Sequence, residues 1–239
     1  MKSQFRLENR LLALSLALAA IPLTSHADVS WNGSTSSDWS LAANWTGGLP
    51  SAGGAGNAVI NPGAPFATPF VSTLGNTTVG QTYVSIGAGL NVVSGGQLST
   101  VDLITGIWGN SAAVNVSGGG LNISGLLNMG AGGYDGDVVI SGGTVTSSGL
   151  SINTLGGAGM DISGSGSFIT AASQLGNINY WVANNNITAN GGGPGWLINI
   201  DTVSQPGSLV LTAVAVPEPG LAMLLGLGLA GFAFLKRRS

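Results

Sequence analysis

The chain has 239 residues, of which 41 are Gly, and it contains no Cys. All six Lys and Arg lie in its terminal segments, so residues 28–216 carry seven Asp and no cation. A segment without positive charge cannot neutralise phosphates, which excludes nucleic acid as a partner. Stability must come from packing and backbone hydrogen bonds, because no disulfide can form.

The N-terminus has the pattern of a secretory signal peptide. Three basic residues precede an apolar run and a small-x-small sequence, namely Lys2, Arg6 and Arg10, then 11–23, then Ser25, His26 and Ala27. This order predicts a signal peptide over 1–27, used by the Sec machinery and cleaved between Ala27 and Asp28. The body of the protein is then expected over 28–214.

Three Trp cluster at the start of this body. Trp31, Trp39 and Trp45 precede the short apolar segment Ala58-Val59-Ile60, and the Trp45-Thr-Gly-Gly sequence leads to Pro50. The arrangement resembles the opening of bacterial surface proteins built of β-strand repeats, although Asn57 stands where such openings usually carry Asp. We interpret 28–60 as an aromatic cap on one end of a repetitive fold. An aromatic platform for sugar binding is the alternative.

A Ser-Gly repeat follows, clearest over 84–170. The glycines after Ser fall at 95, 118, 142 and 164, which are 23, 24 and 22 residues apart. Apolar residues recur at three offsets from the Ser of the first three copies: Val93, Val116 and Ile140, then Leu98, Leu121 and Val145, then Leu103, Leu126 and Leu150. Three inward positions per unit, in short runs separated by Gly, predict three strands per turn. We therefore expect an all-β fold, a right-handed parallel β-helix with coils of about 22–24 residues. A β-sandwich is the alternative, since regular turn signals also suit that fold.

The body offers little catalytic chemistry. Without His, Cys, Lys, Arg or Glu in 28–216, the Ser–His, Cys–His and Ser–Lys nucleophiles cannot form. Asp135 and Asp137 are the one close carboxylate pair, expected on opposite sides of a strand or in a turn. We therefore predict no enzyme activity and no catalytic residue.

Calcium is the one cofactor that the sequence suggests. Residues 132–140 and 156–161 partly match the glycine-aspartate nonapeptide of calcium β-rolls, but they are not in tandem. Ordinary turns explain them better, and Asp135 and Asp137 remain weak calcium candidates.

The C-terminal segment, 215–239, has three ordered parts. Val216, Pro217, Glu218 and Pro219 form a stiff break, because the two prolines lack backbone donors. Residues 220–235 carry no charge and would be about 24 Å long as a helix, against a hydrocarbon core of about 30 Å. Basic residues end the chain at Lys236, Arg237 and Arg238, within 236–239, and would stay cytoplasmic. This order predicts one C-terminal transmembrane helix with a basic membrane stop.

These three parts closely resemble the PEP-CTERM tail of exported proteins in Gram-negative bacteria that produce biofilm and exopolysaccharide. The resemblance implies that an exosortase, a membrane-embedded transpeptidase or protease, recognises Pro217-Glu218-Pro219 and cleaves nearby. An ordinary C-terminal anchor is the alternative, although it gives no reason for Pro-Glu-Pro at this boundary.

The expected function is that of a structural or interaction protein at the cell surface or in the extracellular matrix, anchored transiently in the inner membrane. An exopolysaccharide-binding module or adhesin is the main alternative. Ice binding is less favoured because the Thr residues share no register, and a polysaccharide lyase is less favoured because no basic residue is present.

Overall fold

The computed structural model describes residues 28–50, 56–61, 63–65, 68–72, 77–85, 87–107 and 111–216. Within these ranges the protein is all-β, as expected, with one α-helix and four short 3-10 helices. The strands are β1 (Val29–Trp31), β2 (Trp45–Thr46), β3 (Ala58–Ile60), β4 (Phe70–Val71), β5 (Thr77–Ser85), β6 (Gly89–Val92), β7 (Gln97–Ile107), β8 (Ala112–Met129), β9 (Gly136–Ile152), β10 (Met160–Ile162), β11 (Ser167–Ala171), β12 (Ile187–Ala189), β13 (Trp196–Asp201) and β14 (Ser208–Ala215). The α-helix is α1 (Leu175–Ala183), and the 3-10 helices are Ala42–Asn44, Thr154–Gly156, Ala172–Gln174 and Asn190–Gly192.

The strands pair in three parallel rows. Row A contains β4, β6, the first segments of β8 and β9, then β10 and β12. Row B contains the first segments of β5 and β7, the middle segments of β8 and β9, and β11. Row C contains β1, β3 and the last segments of β5, β7, β8 and β9. The chain therefore passes through the three rows in the same order in both β8 and β9.

Like residues stack along each row to build the core. Alternate residues of each segment point inward because side chains alternate across a strand. The inward ladders, in which no member is more than 4% exposed, are Val92, Val116, Ile140 and Ile162 in row A, Leu98, Leu121, Val145 and Phe168 in row B, and Leu103, Leu127 and Leu150 in row C. Ladder neighbours are 22 to 24 residues apart in the sequence, which is the predicted spacing.

Two of the predicted core positions are wrong by one residue. Val92, not Val93, pairs with Val116 and is fully buried. Leu127 likewise takes the position expected for Leu126, which is 38% exposed. The register of β8 shifts between Ile123 and Leu126 and again around Ser117. A shift of one residue turns each following side chain to the other face, and the Ser-based alignment did not include these shifts.

Antiparallel strands close both ends of the parallel rows. At the start, β2 pairs antiparallel with β1. At the other end, β14 pairs antiparallel with β11, and β13 pairs antiparallel with β14.

Helix α1 was not predicted. Its residues Ile178 and Trp181 are buried, and Val182 packs against the core. The spacing of these three residues suits one face of a helix, so the signal was present in the sequence. Among the residues that the structure describes, none forms a helix with the length and apolar character needed to cross a membrane. The predicted transmembrane helix, 220–235, lies outside the described residues.

Candidate functional site

The three N-terminal Trp form a buried cluster. The Trp45 ring meets Trp31 and Trp39 edge to face, at centroid distances of 5.0 and 4.6 Å. Trp45 Nε1 donates a hydrogen bond to the Trp39 carbonyl at 2.8 Å. None of the three is more than 4% exposed. An aromatic sugar platform formed by these rings is therefore wrong, because the rings are buried and pack edge to face inside the protein.

The predicted signal cleavage site lies at the first described residue. Asp28 is exposed, and its carboxylate accepts a hydrogen bond from Asn57 Nδ2 at 2.8 Å. The same Asn57 accepts a hydrogen bond from the Gln81 backbone N–H through Oδ1, at 2.9 Å. Asn57 thus ties the start of the body to row C. Ala27 lies outside the described residues.

The structure brings the two candidate calcium ligands to one cleft. Asp135 ends the turn before β9, and Asp137 is the second residue of that strand. Both line a cleft of about 520 Å³ beside Asn91 and Asn115, whose side chains are joined by a 3.0 Å hydrogen bond from Asn115 Nδ2 to Asn91 Oδ1. Of the two placements that the sequence left open, opposite sides of a strand or a turn, the structure has the turn, which places Asp135 beside Asp137.

The electrostatics of this pair disfavour two negative charges. Burial raises the pKa of Asp137, and the neighbouring Asp135 carboxylate raises it further. A backbone hydrogen bond from Gly159 N to Asp137 Oδ1, at 3.1 Å, acts in the opposite direction. Asp135 Oδ1 is buried without a hydrogen-bond partner. A cation would relieve this repulsion, but the described residues contain no group of three or more acidic, His or Cys ligands.

A second groove lies on the outer side of row B. It has a volume of about 280 Å³ and is lined by neutral side chains, among them Asn122, Ser124, Thr146, Ser148 and Ser208. These residues come from stacked segments of β8 and β9 and from β14, so the groove follows the repeat. Its polar groups are hydroxyls and amides, which can donate and accept hydrogen bonds.

The body joins the C-terminal tail through β14. Val216, the first residue of the predicted sorting motif, follows this strand directly and donates its backbone N–H to the Gly195 carbonyl at 2.8 Å. The rest of the motif, Pro217, Glu218 and Pro219, lies outside the described residues, as does the basic stop, Lys236, Arg237 and Arg238. Backbone hydrogen bonding between the end of β14 and the residue before β13 therefore extends to Val216, the first residue of the motif.

The described residues belong to an acidic all-β protein with stacked parallel strands. The C-terminal segment follows its last strand, β14, directly. Residues 215–238 match the family model of the PEP-CTERM protein-sorting motif. A tail of this type marks an exported surface protein that is processed by an exosortase. No curated protein and no solved structure matches the chain.

Proposed function

We propose that this protein is a structural or interaction component of the cell surface or extracellular matrix, associated with biofilm or exopolysaccharide. It would be exported by the Sec machinery, held at the inner membrane by 220–235, and released or transferred when an exosortase cleaves near Pro217–Pro219. The match of 215–238 to the sorting motif is the observation that carries the proposal. The attachment of that segment to β14 supports it, because the motif then leaves an ordered body directly at the cleavage region.

The proposed architecture of the body is a right-handed parallel β-helix. Three parallel rows with neighbours 22 to 24 residues apart support this architecture, as does the passage of β8 and β9 through all three rows. Strands of a β-sandwich pair mainly antiparallel and do not repeat at a constant spacing in sequence. A repetitive, cysteine-free body of this kind suits a protein that works outside the cell.

We infer that the body acts without catalysis. Its only charged residues are Asp, and the closest pair in sequence, Asp135 and Asp137, has no basic residue in 28–216 to act with it. Polysaccharide lyases generally use a basic residue together with a metal, so this activity is not proposed.

Intact-mass analysis in strains with and without the exosortase tests the sorting proposal. With the enzyme, the exported product should end near Pro217–Pro219, and without it the product should retain Lys236–Ser239. A variant with Pro217→Ala and Pro219→Ala should retain the tail even when the enzyme is present. A product that ends at Ser239 in both strains would refute the proposal.

Exopolysaccharide binding is the second candidate, and the row B groove favours it. Neutral polysaccharides present hydroxyl groups, which the Asn, Thr and Ser side chains of the groove can match. Asn122→Ala should weaken binding on a glycan array, whereas Asn128→Ala should not, because Asn128 lies in row C of the same strand. Equal binding by both variants and the unchanged protein would remove the groove from consideration.

We also propose weak calcium binding at Asp135 and Asp137, which the raised pKa of Asp137 and the partnerless Asp135 Oδ1 support. Calcium should raise the melting temperature relative to a chelator, and Asp135→Asn should abolish the difference. Asp38→Asn is the control, since this residue lies in the N-terminal cap. An unchanged melting temperature in calcium would count against the site.

A further inference from the structure

The hairpin β13–β14 presents an apolar patch at the end nearest the tail. Leu197 lies opposite Val214 in the register, and Val216, one residue past β14, continues the pairing through its backbone hydrogen bond to the Gly195 carbonyl. Residues two apart on a strand share a face, so these three side chains lie together. They are 59%, 40% and 38% exposed, respectively. We name Leu197, Val214 and Val216 the terminal patch.

The terminal patch is not an imperfect part of the core. The opposite face of the hairpin supplies Ile198, Ile200 and Ala213, which pack against the core cluster. The patch therefore lies on the outer face, where solvent-exposed strands normally carry polar residues. An exposed apolar group on that face indicates a surface that contacts something other than water.

The outer face becomes polar with distance from the tail. Asn199 lies opposite Thr212, one step along the hairpin from the patch. Beyond them, Asp201 Oδ1 accepts hydrogen bonds from the backbone N–H groups of Val203 and Ser204, at 2.7 and 3.0 Å. The outer face of the hairpin is thus apolar at the end that continues into the C-terminal tail, and it is charged at the opposite end, near the turn between β13 and β14.

The sequence keeps this patch close to the predicted membrane segment. Four residues, 217–220, separate Val216 from Leu221, where the continuous apolar run begins. An extended chain spans at most about 3.6 Å per residue, so Val216 lies within roughly 18 Å of Leu221. The headgroup layer on each side of the hydrocarbon core is about 5–7 Å thick. The patch can therefore reach the headgroups while the tail is embedded.

Trp196 lies at the same end of the hairpin, but on the face opposite the terminal patch. It begins β13, lies opposite Ala215, shares a face with Ile198 and is 37% exposed, so it adds an exposed aromatic ring to the end nearest the tail. Trp is enriched at membrane interfaces because its ring is apolar and its N–H is polar. The other described Trp side chains, at 31, 39, 45 and 181, are all buried.

We propose that the terminal patch rests on the headgroup region of the bilayer while the tail is embedded, and leaves it once the tail is cleaved. This inference rests on the proposed membrane insertion of 220–235. The body from 28 to 216 has no cation, so the contact cannot depend on attraction to anionic lipids. Three apolar side chains bind a membrane weakly alone, but the tail supplies a high effective concentration. Cleavage removes that tether, and the acidic body is released.

The chain contains no Cys, so single-Cys labelling tests the proposal directly. Leu197→Cys and Val214→Cys would each carry an environment-sensitive NBD label in protein spanning 28–239, reconstituted into phosphatidylethanolamine–phosphatidylglycerol vesicles. Val203→Cys is the matched control, because Val203 is 82% exposed and lies at the polar end of the same hairpin. The emission at 197 and 214 should shift to shorter wavelength and be quenched by spin-labelled lipid headgroups, whereas the emission at 203 should not.

Vesicle flotation distinguishes the proposal for the terminal patch from the proposal that 220–235 inserts into the membrane. If the protein floats with the vesicles and the labels at 197 and 214 behave like the label at 203, the patch does not contact the membrane although the tail inserts. If the protein does not float, membrane insertion of the tail fails, and the proposal for the patch fails with it. The expected result is flotation together with a shift at 197 and 214 alone.

Discussion

Gly143 lies at a corner between rows A and B where stacked segments approach closely. Its φ is +74°, and a Cβ placed on it would overlap the carbonyl oxygen of Gly119 in the preceding unit. Gly119 has the same problem one unit earlier, with a Cβ only 2.5 Å from the Gly96 carbonyl oxygen. The second Gly of the Ser-Gly-Gly repeat is therefore required by close backbone approach.

Gly143→Ala should lower the free energy of unfolding by about 2–5 kcal/mol, which sums the cost of a positive φ and of overpacking. Gly133→Ala is the control, because Gly133 has a φ of +76° but open space around its Cβ position. It should cost only the backbone part, about 1–2 kcal/mol. Urea denaturation of both variants measures the difference, and equal losses would mean that the corner is not tightly packed.

Asp137 should make the protein less stable at neutral pH than at acidic pH. Its raised pKa means that the folded state holds the proton more tightly than the unfolded state, so its stabilising contribution is lost as pH rises through the folded pKa. Asp137→Asn should therefore raise the melting temperature at pH 7, and the gain should disappear below the ordinary pKa of 3.8.

Asp201→Asn is the control, because its effect on the melting temperature at pH 7 should have the opposite sign to that of Asp137→Asn. Hydrogen bonds from Ser204 and Val203 lower the pKa of Asp201, so its contribution is present at neutral pH and is lost as pH falls through the lowered pKa. This variant should have a lower melting temperature at pH 7. A pH-independent effect of Asp137→Asn would show that the carboxylate pair is not destabilising.

At the scale of elements, the Trp cluster joins β1 and β2 to the turn that contains Trp39. Trp45→Ala should cost about 3–5 kcal/mol, because it removes a buried ring that contacts both other rings. Trp45→Phe keeps an aromatic ring but loses the hydrogen bond to the Trp39 carbonyl, so a loss nearer 1 kcal/mol is expected. Thermal unfolding measures both losses, and hydrogen exchange in β1 should increase more for Trp45→Ala. Equal effects would show that the hydrogen bond dominates.

At the scale of the whole molecule, all side-chain charges between 28 and 216 have one sign. Salt therefore mainly screens repulsion, since this segment has no side-chain ion pair to weaken. The melting temperature of the exported, tail-cleaved protein should rise as NaCl increases from about 0.01 to 0.15 M, where the Debye length falls from about 30 to 8 Å. At pH 2, where the carboxylates are protonated, the same addition should have little effect. A fall in melting temperature at pH 7 would contradict this view.

Much of the fold could be predicted because it repeats. The spacing of the Ser-Gly units and the apolar residues around them indicated stacked strands, and Leu98, Leu121 and Val145 form the predicted ladder. Leu126 was misplaced because a bulge shifts the register without changing the local sequence pattern. Val93 was misplaced because the segment from Val92 to Leu98 is one residue longer than the equivalent segment from Val116 to Leu121. Of the candidate sites, the sorting tail was recognisable from a contiguous motif, whereas the relation between Asp135 and Asp137 depends on the path of a turn.

The sequence by itself determined the sorting tail, the acidic charge and the repeat spacing, and it predicts the export signal, because each is a property of residues that are close along the chain. The tertiary structure decided which residues face inward, because a shift of one position reverses a strand's faces. It also decided that the three N-terminal Trp are buried, that Asp135 and Asp137 share a cleft, and that Leu197 joins Val214 and Val216. Those relations depend on pairing between distant segments, so only the folded chain contains them.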